Sequence, residues 1–189
     1  KSMQNAVSAD EGSMLAVLGS DLKVIENVLK TNNRQCYVAN DNSPQQVVLS
    51  GLKKNIDLFS EDLDKLKIKN MKLNVSAPFH CKLMKTATVN MREKILNLNL
   101  NAIKKPIVSN FTAKPTISTS EIKNLLVSQI EGRVRWLESV EFMINEGTKN
   151  FIEIGPGKVL SGLIRRINKN VNFKSINSVQ DIKELNLNV

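Results

Sequence analysis

The stretch from residue 13 to residue 76 changes its hydrophobic period four times, and that alternation limits the folds open to the chain. "SMLAVLG" (13–19) reads as a strand. Residues 21–30 then place Leu22, Ile25, Val28 and Leu29 at helical spacing. "QCYVAN" and "QVVLSG" read as two strands joined by the turn "DNSPQ", which is built from turn-forming residues. Residues 52–66 return to the helical period, with Ile56, Phe59, Leu63 and Leu66 on one face. "MKLNV" alternates again at Met71, Leu73 and Val75. The order is β-α-β-β-α-β.

That order is the ferredoxin-like split βαβ pattern, and 13–76 is expected to form a compact small subdomain. Beyond residue 76 the grammar changes. Residues 81–98 predict a helix with Met84, Met91, Ile95 and Leu98 inward, and "PIVSNFT" a short buried strand. "STSE" (118–121) reads as a capping box opening a helix through Ile130. Trp136, Val140, Phe142 and Met143 mark another helix, closed near Gly147. "FIEIGPGKVLSGLIRRI" is strand, Gly-rich turn and helix, and "FKSIN" is a last strand. Alternating helices and strands predict an α/β fold with a mostly parallel sheet. The pieces after residue 81 are too few for a complete sheet. They read as the second half of a larger α/β domain into which the βαββαβ unit is inserted. Residues 1–12 would then be the end of a large-subdomain helix and a linker, and 77–189 the C-terminal part of the large subdomain.

Composition removes several function classes. The chain has one histidine and two cysteines, Cys36 and Cys81, at no metal-ligand spacing, so a protein-built zinc site is not expected. No apolar run approaches the ~20 residues that span a bilayer. The net charge of +9 favours acidic or phosphorylated partners. Aromatic residues are only 4% of the chain, too few for the stacking platforms that single-stranded nucleic acids need. The opening "KSMQNAV" has no initiator Met and reads as a truncated start.

Three motifs bear on chemistry. "GPGKVL" opens a helix after a Gly-rich turn, where backbone N–H groups can bind an anion. It lacks the Walker spacing and the hydroxyl residue after Lys158, and a tight strand-to-helix turn is the stronger reading. No Gly-x-Ser-x-Gly elbow occurs, so neither Ser50 nor Ser161 is promoted to nucleophile. Cys81 adjoins His80, but neighbours on an extended chain point opposite ways, which makes a dyad poor geometry. His80 itself sits in "NVSAPFHCKLM", at the end of the last strand of the βαββαβ unit, where α/β sheets place ligands. Pro78 stiffens its approach. No carboxylate lies nearby in sequence, so its orienting partner must come from elsewhere.

With these residues in view, the text resembles the malonyl-CoA:acyl-carrier-protein transacylase family. "NVSAPFHCKLMK" resembles that family's histidine motif, "VANDNSPQQVVLSG" its Asn-rich strand-turn-strand, "LLVSQIEGRVRWLESVEFM" its glutamine segment, and "FIEIGPGKVLSGLIRRI" its C-terminal strand-turn-helix. The resemblance runs nearly end to end. It implies an α/β-hydrolase-like large subdomain, incomplete here, interrupted by the ferredoxin-like small one. It implies ping-pong acyl transfer through a serine and a histidine. His80 matches the catalytic histidine, and Gln129 the residue whose main-chain carbonyl holds that ring. Phe79 matches a pocket position associated with malonyl over bulkier branched groups, and Asn42 is expected to line the same cleft. The nucleophilic serine, half the oxyanion hole and the malonate-binding arginine find no match, so the chain is expected to cover about the last three-fifths of an enzyme. The resemblance also implies no permanently bound cofactor. The substrates would be malonyl-CoA and the phosphopantetheine thiol of an acidic acyl carrier protein, with no nucleic acid and no membrane, and the protein a monomer. The expected setting is a plastid if eukaryotic and the cytoplasm if bacterial.

Two alternatives remain at this stage. One is an acyltransferase domain of a polyketide or multifunctional fatty-acid synthase. The other, of a different class, is a basic non-catalytic binding module built on the ferredoxin-like unit. Aromatic scarcity and the lack of an RNP-type strand weigh against the second.

Overall fold

The structure is a computed structural model and describes residues 1–8, 11–75 and 77–185. The chain divides into two compact units, residues 1–139 and 140–189.

The first unit is built on a five-stranded sheet. Its elements run β1 (Gly12–Leu18), α1 (Leu22–Thr31), β2 (Cys36–Ser43), β3 (Gln46–Leu52), α2 (Lys53–Lys65) and β4 (Asn70–Lys72). The sheet order is β4-β1-β3-β2, with each neighbouring pair antiparallel. That is the split βαβ arrangement the changing period predicts. Both faces of the sheet are covered, which is why β1 reads "MLAVL" without alternation. Leu15, Val17, Val47 and Leu49 face α1 and α2, where Ile25, Ile56, Phe59 and Leu63 complete a dry core. Met14, Ala16, Ala39 and Val48 face the other way, with Leu73 and Phe79 packed on them. Asp21 caps α1 by accepting from the Val24 N–H at 2.9 Å. Arg34 clamps the α1–β2 connection to α2 through a two-pronged bond to Asp62.

A 3₁₀ turn (Lys82–Met84) leads into α3 (Lys85–Leu96). The two-residue strands β5 (Ile107–Val108) and β6 (Pro115–Thr116) pair with each other, and α4 (Thr119–Glu131) follows. Strand β7 (Val134–Arg135) joins the sheet beside β2 in parallel. Ala77, Met84, Ala87 and Ile130 form a further buried cluster, which also takes in Phe79, Met91 and Ile95. Phe79 therefore belongs to two apolar clusters at once.

Several expectations need correction. Residues 1–8 form turns, with Asn5 N–H bonded to the Lys1 carbonyl, rather than a helix. Strand β4 stops at Lys72, and Met71 is 55% exposed, so the Met71–Leu73–Val75 alternation does not mark a buried face. Leu98 lies past the end of α3 and is exposed. The expected strand at "PIVSNFT" shrinks to two residues, and Ile107 is half exposed. Ser118 does cap α4, accepting from the Glu121 N–H at 3.3 Å, but Glu121 turns its carboxylate to the Thr116 hydroxyl instead of closing the box.

Helix α5 (Trp136–Asn145) carries the chain from the first unit into the second. Gly147, at φ 92°, closes it as expected. The second unit continues with β8 (Asn150–Ile154), α6 (Val159–Ile167), β9 (Asn172–Ile176) and α7 (Val179–Lys183). Strands β8 and β9 pair in parallel across the α6 crossover. Leu163 and Ile164 of α6 are buried with Ile176 of β9.

Candidate active site

The connection from β4 to α3 is irregular, and it carries His80 in an exposed-to-buried transition. Pro78 is fully buried, Phe79 and His80 are half-buried, and Cys81 is buried. His80 has φ 57°, in the left-handed region. Non-glycine residues visit that region seldom, at a cost on the order of 1 kcal/mol, and they stay only where the surroundings hold them. Here Cys81 Sγ donates to the Pro78 carbonyl at 3.1 Å, and Phe79 N–H bonds the Ala77 carbonyl at 3.1 Å. The two bonds close a tight loop around the histidine.

The imidazole is fixed from across the fold. His80 Nδ1 lies 3.0 Å from the main-chain oxygen of Gln129. A carbonyl can only accept, so Nδ1 carries the proton and donates it, and in the neutral ring Nε2 keeps a free lone pair. The Gln129 carbonyl is available because α4 ends two residues later. The last four carbonyls of a helix have no donor within it. Gly132 terminates α4 at φ −94°, ψ 149°, after giving its N–H to the Ser128 carbonyl at 3.0 Å. The main-chain carbonyl orients the ring as a side-chain carboxylate could.

His80 lines an open cleft of about 420 Å³. Cys36, Tyr37 and Val38 of β2 form one wall, and Glu131 and Arg133 stand at the end of α4. A second cleft of about 440 Å³ is lined by Phe111, Thr112, Lys114, Arg133 and Arg135, and shares Arg133 with the first. Arg133 and Arg135 both reach Glu138, at 3.2 Å each.

The other residues singled out from sequence fall in different places. Gln129 meets His80 through its main chain. Phe79 packs its ring against both the sheet cluster and the α3–α4 cluster. Asn42 stands near the end of β2, half-buried, and does not line the His80 cleft. No serine lines that cleft among the described residues. Ser50 and Ser161 are both buried, and Ser161 shares a hydrogen bond with Ser175 at 2.9 Å. Neither cysteine offers a thiolate. Burial pushes the Cys36 thiol up to about 12 and the Cys81 thiol up as well.

The "GPGKVL" turn serves the fold. Glu153 of β8 reaches across it and accepts from the N–H groups of Leu160 (3.0 Å) and Ser161 (2.8 Å), in the first turn of α6. The helix end that could have held an external anion is satisfied by the chain's own carboxylate. Sequence reading passed over Glu153 and weighed Cys81 only as a dyad partner, because each acts on a backbone atom and leaves no side-chain pattern.

Comparison with known proteins gives the same direction from end to end. Residues 1–187 match the acyl transferase domain family. A malonyl CoA-acyl carrier protein transacylase of Staphylococcus aureus (strain MSSA476) is 38% identical over 190 residues, which take in 98% of this chain and 62% of that protein. The chain thus spans about three-fifths of the length of the curated relatives it matches. Among solved structures, the acyl-carrier-protein-S-malonyltransferase from Bartonella henselae superimposes with a TM-score of 0.91 at 37% identity, covering 97% of this chain and 59% of that one. A malonyl-transacylase in complex with its type II PKS acyl-carrier protein superimposes at 0.90 and 32% identity, covering 96% and 60%. Matched along nearly its whole length, and folded as those enzymes are, this chain belongs to the acyl transferase domain family.

Proposed function

We propose that the chain supplies the histidine part of a malonyl-transfer site, and that the full-length polypeptide moves malonyl from CoA to the phosphopantetheine thiol of an acyl carrier protein. The observation that carries this reading is the His80 Nδ1–Gln129 carbonyl bond of 3.0 Å, which leaves Nε2 free as a base.

In the first half-reaction Nε2 takes the proton of a serine hydroxyl from outside these 189 residues, and the serine oxygen attacks the malonyl thioester. The tetrahedral intermediate collapses, the C–S bond breaks, and the CoA thiolate leaves with the proton from Nε2. In the second half-reaction Nε2 takes the proton of the carrier's thiol. The thiolate attacks the acyl-serine ester, and the serine oxygen leaves with that proton. The ring is cationic between the two transfers in each half. The Gln129 carbonyl lies at the C-terminal end of α4, where the helix dipole is negative and favours that cation.

Phe79 stands to shape the acyl pocket, its ring held between two apolar clusters. Asn42, outside the His80 cleft, would act only through the far end of the carrier arm or the hairpin it closes. The chemistry asks for no permanently bound cofactor, since both substrates bring their own thiol or thioester. Lys114, Arg133 and Arg135 beside the His80 cleft suit a phosphate-bearing arm and an acidic carrier. Carriers of fatty-acid and of polyketide synthesis present the same arm, and the transacylase solved with a type II PKS carrier keeps the second in view.

The test is transfer itself. The full-length polypeptide is incubated with radiolabelled malonyl-CoA and phosphopantetheinylated carrier. Label on the carrier, dependent on its thiol, is the expected result. Label that stays on CoA, or an equal preference for acetyl-CoA, would overturn the assignment.

A further inference from the structure

We propose that Gly12 is a positioning residue for His80, acting through the ring of Pro78. This inference rests on His80 being the catalytic base, as proposed above.

Gly12 opens β1, opposite Leu52 of β3. Its φ lies outside the left-handed region, so its backbone would accept alanine. What forbids a side chain is space. A Cβ on Gly12 would stand 2.7 Å from Pro78 Cγ and 2.9 Å from Pro78 N, and closer still to Pro78 Cδ. These are ring and backbone atoms, with no flexible end to swing aside. The Pro78 ring is fully buried in the room that Gly12 leaves.

Pro78 is two residues from His80, and nothing between them can absorb a shift. The Pro78 carbonyl takes the Cys81 thiol at 3.1 Å, which ties the far side of the loop to the same residue. Phe79 is wedged between two apolar clusters. His80 is already held at φ 57°. A displaced Pro78 therefore moves the imidazole away from its 3.0 Å bond to Gln129. Misplacing a catalytic group by about 1 Å can cost on the order of a hundredfold in rate. Binding of the CoA and carrier arms, which falls to the basic side chains beyond this loop, changes far less.

Gly51 provides the contrast within the same sheet. A Cβ there would meet Gln35 O at 3.4 Å and Cys36 Cα at 3.6 Å, which is ordinary contact.

The experiment compares Gly12→Ala, Pro78→Ala, the double variant, Gly51→Ala and His80→Ala in the full-length polypeptide, with kcat and KM for malonyl-CoA and carrier. We expect Gly12→Ala to lower kcat about tenfold to a hundredfold with KM within about threefold, and Gly51→Ala to match wild type. The double variant should recover most of the kcat lost in Gly12→Ala, because the Cδ and Cγ overlaps are gone and only the contact with the Pro78 nitrogen remains. If Gly12→Ala does not fold, the double variant should fold and turn over. A folded Gly12→Ala with wild-type kcat would overturn the proposal. So would a double variant that is no better than Gly12→Ala, or that also fails to fold, since something other than the Pro78 ring would then reject the methyl group. His80→Ala separates the two claims: if it stays active, the base assignment itself fails, whatever Gly12 does.

Discussion

At the scale of single residues, His80 is defined by what holds it. Its ring has one nitrogen committed to a carbonyl and the other free. Gln129→Ala keeps that carbonyl, because the backbone survives the change. We expect it to reduce transfer by less than tenfold, against the roughly 10²–10⁴-fold range for losing a general base. Steady-state transfer measured on the two variants side by side checks this. A Gln129→Ala loss as deep as that of His80→Ala would give the side chain a direct chemical role. The histidine was legible in the sequence because it is unique and sits beside Pro78. Gln129 emerged only from resemblance to a family. It lies 49 residues away and acts through its main chain, so no spacing rule could select it. Gly12 left no trace, since its meaning depends on a proline that only folding brings near. The expectation for Asn42 also came from that resemblance, and its place near the end of β2 says little about which wall of a cleft it joins.

Among the elements, α6 shows how one side chain can support a whole helix. Burial raises the Glu153 carboxyl, but hydrogen bonds from the Ser161 hydroxyl and from the Ser161 and Leu160 N–H groups outweigh it and hold the group below its ordinary value. The folded chain thus binds this proton less tightly than the unfolded chain does. The stabilisation is present above the ordinary value of 4.5 and is lost as pH falls through the depressed folded value. Glu153→Ala should lower stability near neutral pH by about 1 kcal/mol, the usual scale for a lost cap. The gap to wild type should shrink below about pH 4, as thermal unfolding at several pH values would show. A gap that stays constant would mean that the carboxylate's charge is irrelevant. In the same helix, a Cβ on Gly162 would meet nothing within 4 Å, so alanine adds helix propensity without a clash. Gly162→Ala should raise stability by roughly 0.5–1 kcal/mol in denaturant unfolding. A loss would show that the space is filled in the working protein. The long periodic elements were readable because burial repeats along them. Strands β6 and β7 were not, because two residues carry no period, and β5 was read only as part of a longer strand.

Considered as a whole molecule, the chain combines a net charge of +9 with apolar surface left open in its second unit. Ile152 and Ile154 point to the same face of β8, and Ile154 is 82% exposed. Sequence reading anticipated a sheet with too few strands after residue 81, and the β8–β9 pair fits that description. The charge bears on docking. Attraction between a basic protein and an acidic carrier weakens as salt shortens the Debye length. KM for the carrier should rise steeply with ionic strength while kcat stays nearly constant, and a flat response would assign the basic residues to solubility alone. Whether His80 is the base of a transfer site is read from a single turnover. The full-length polypeptide and its His80→Ala variant are mixed with radiolabelled malonyl-CoA, quenched with acid at short times, and assayed for label on the protein. Acyl-enzyme formation should slow by roughly 10²–10⁴-fold in the variant. Formation within a few-fold of wild type would contradict it.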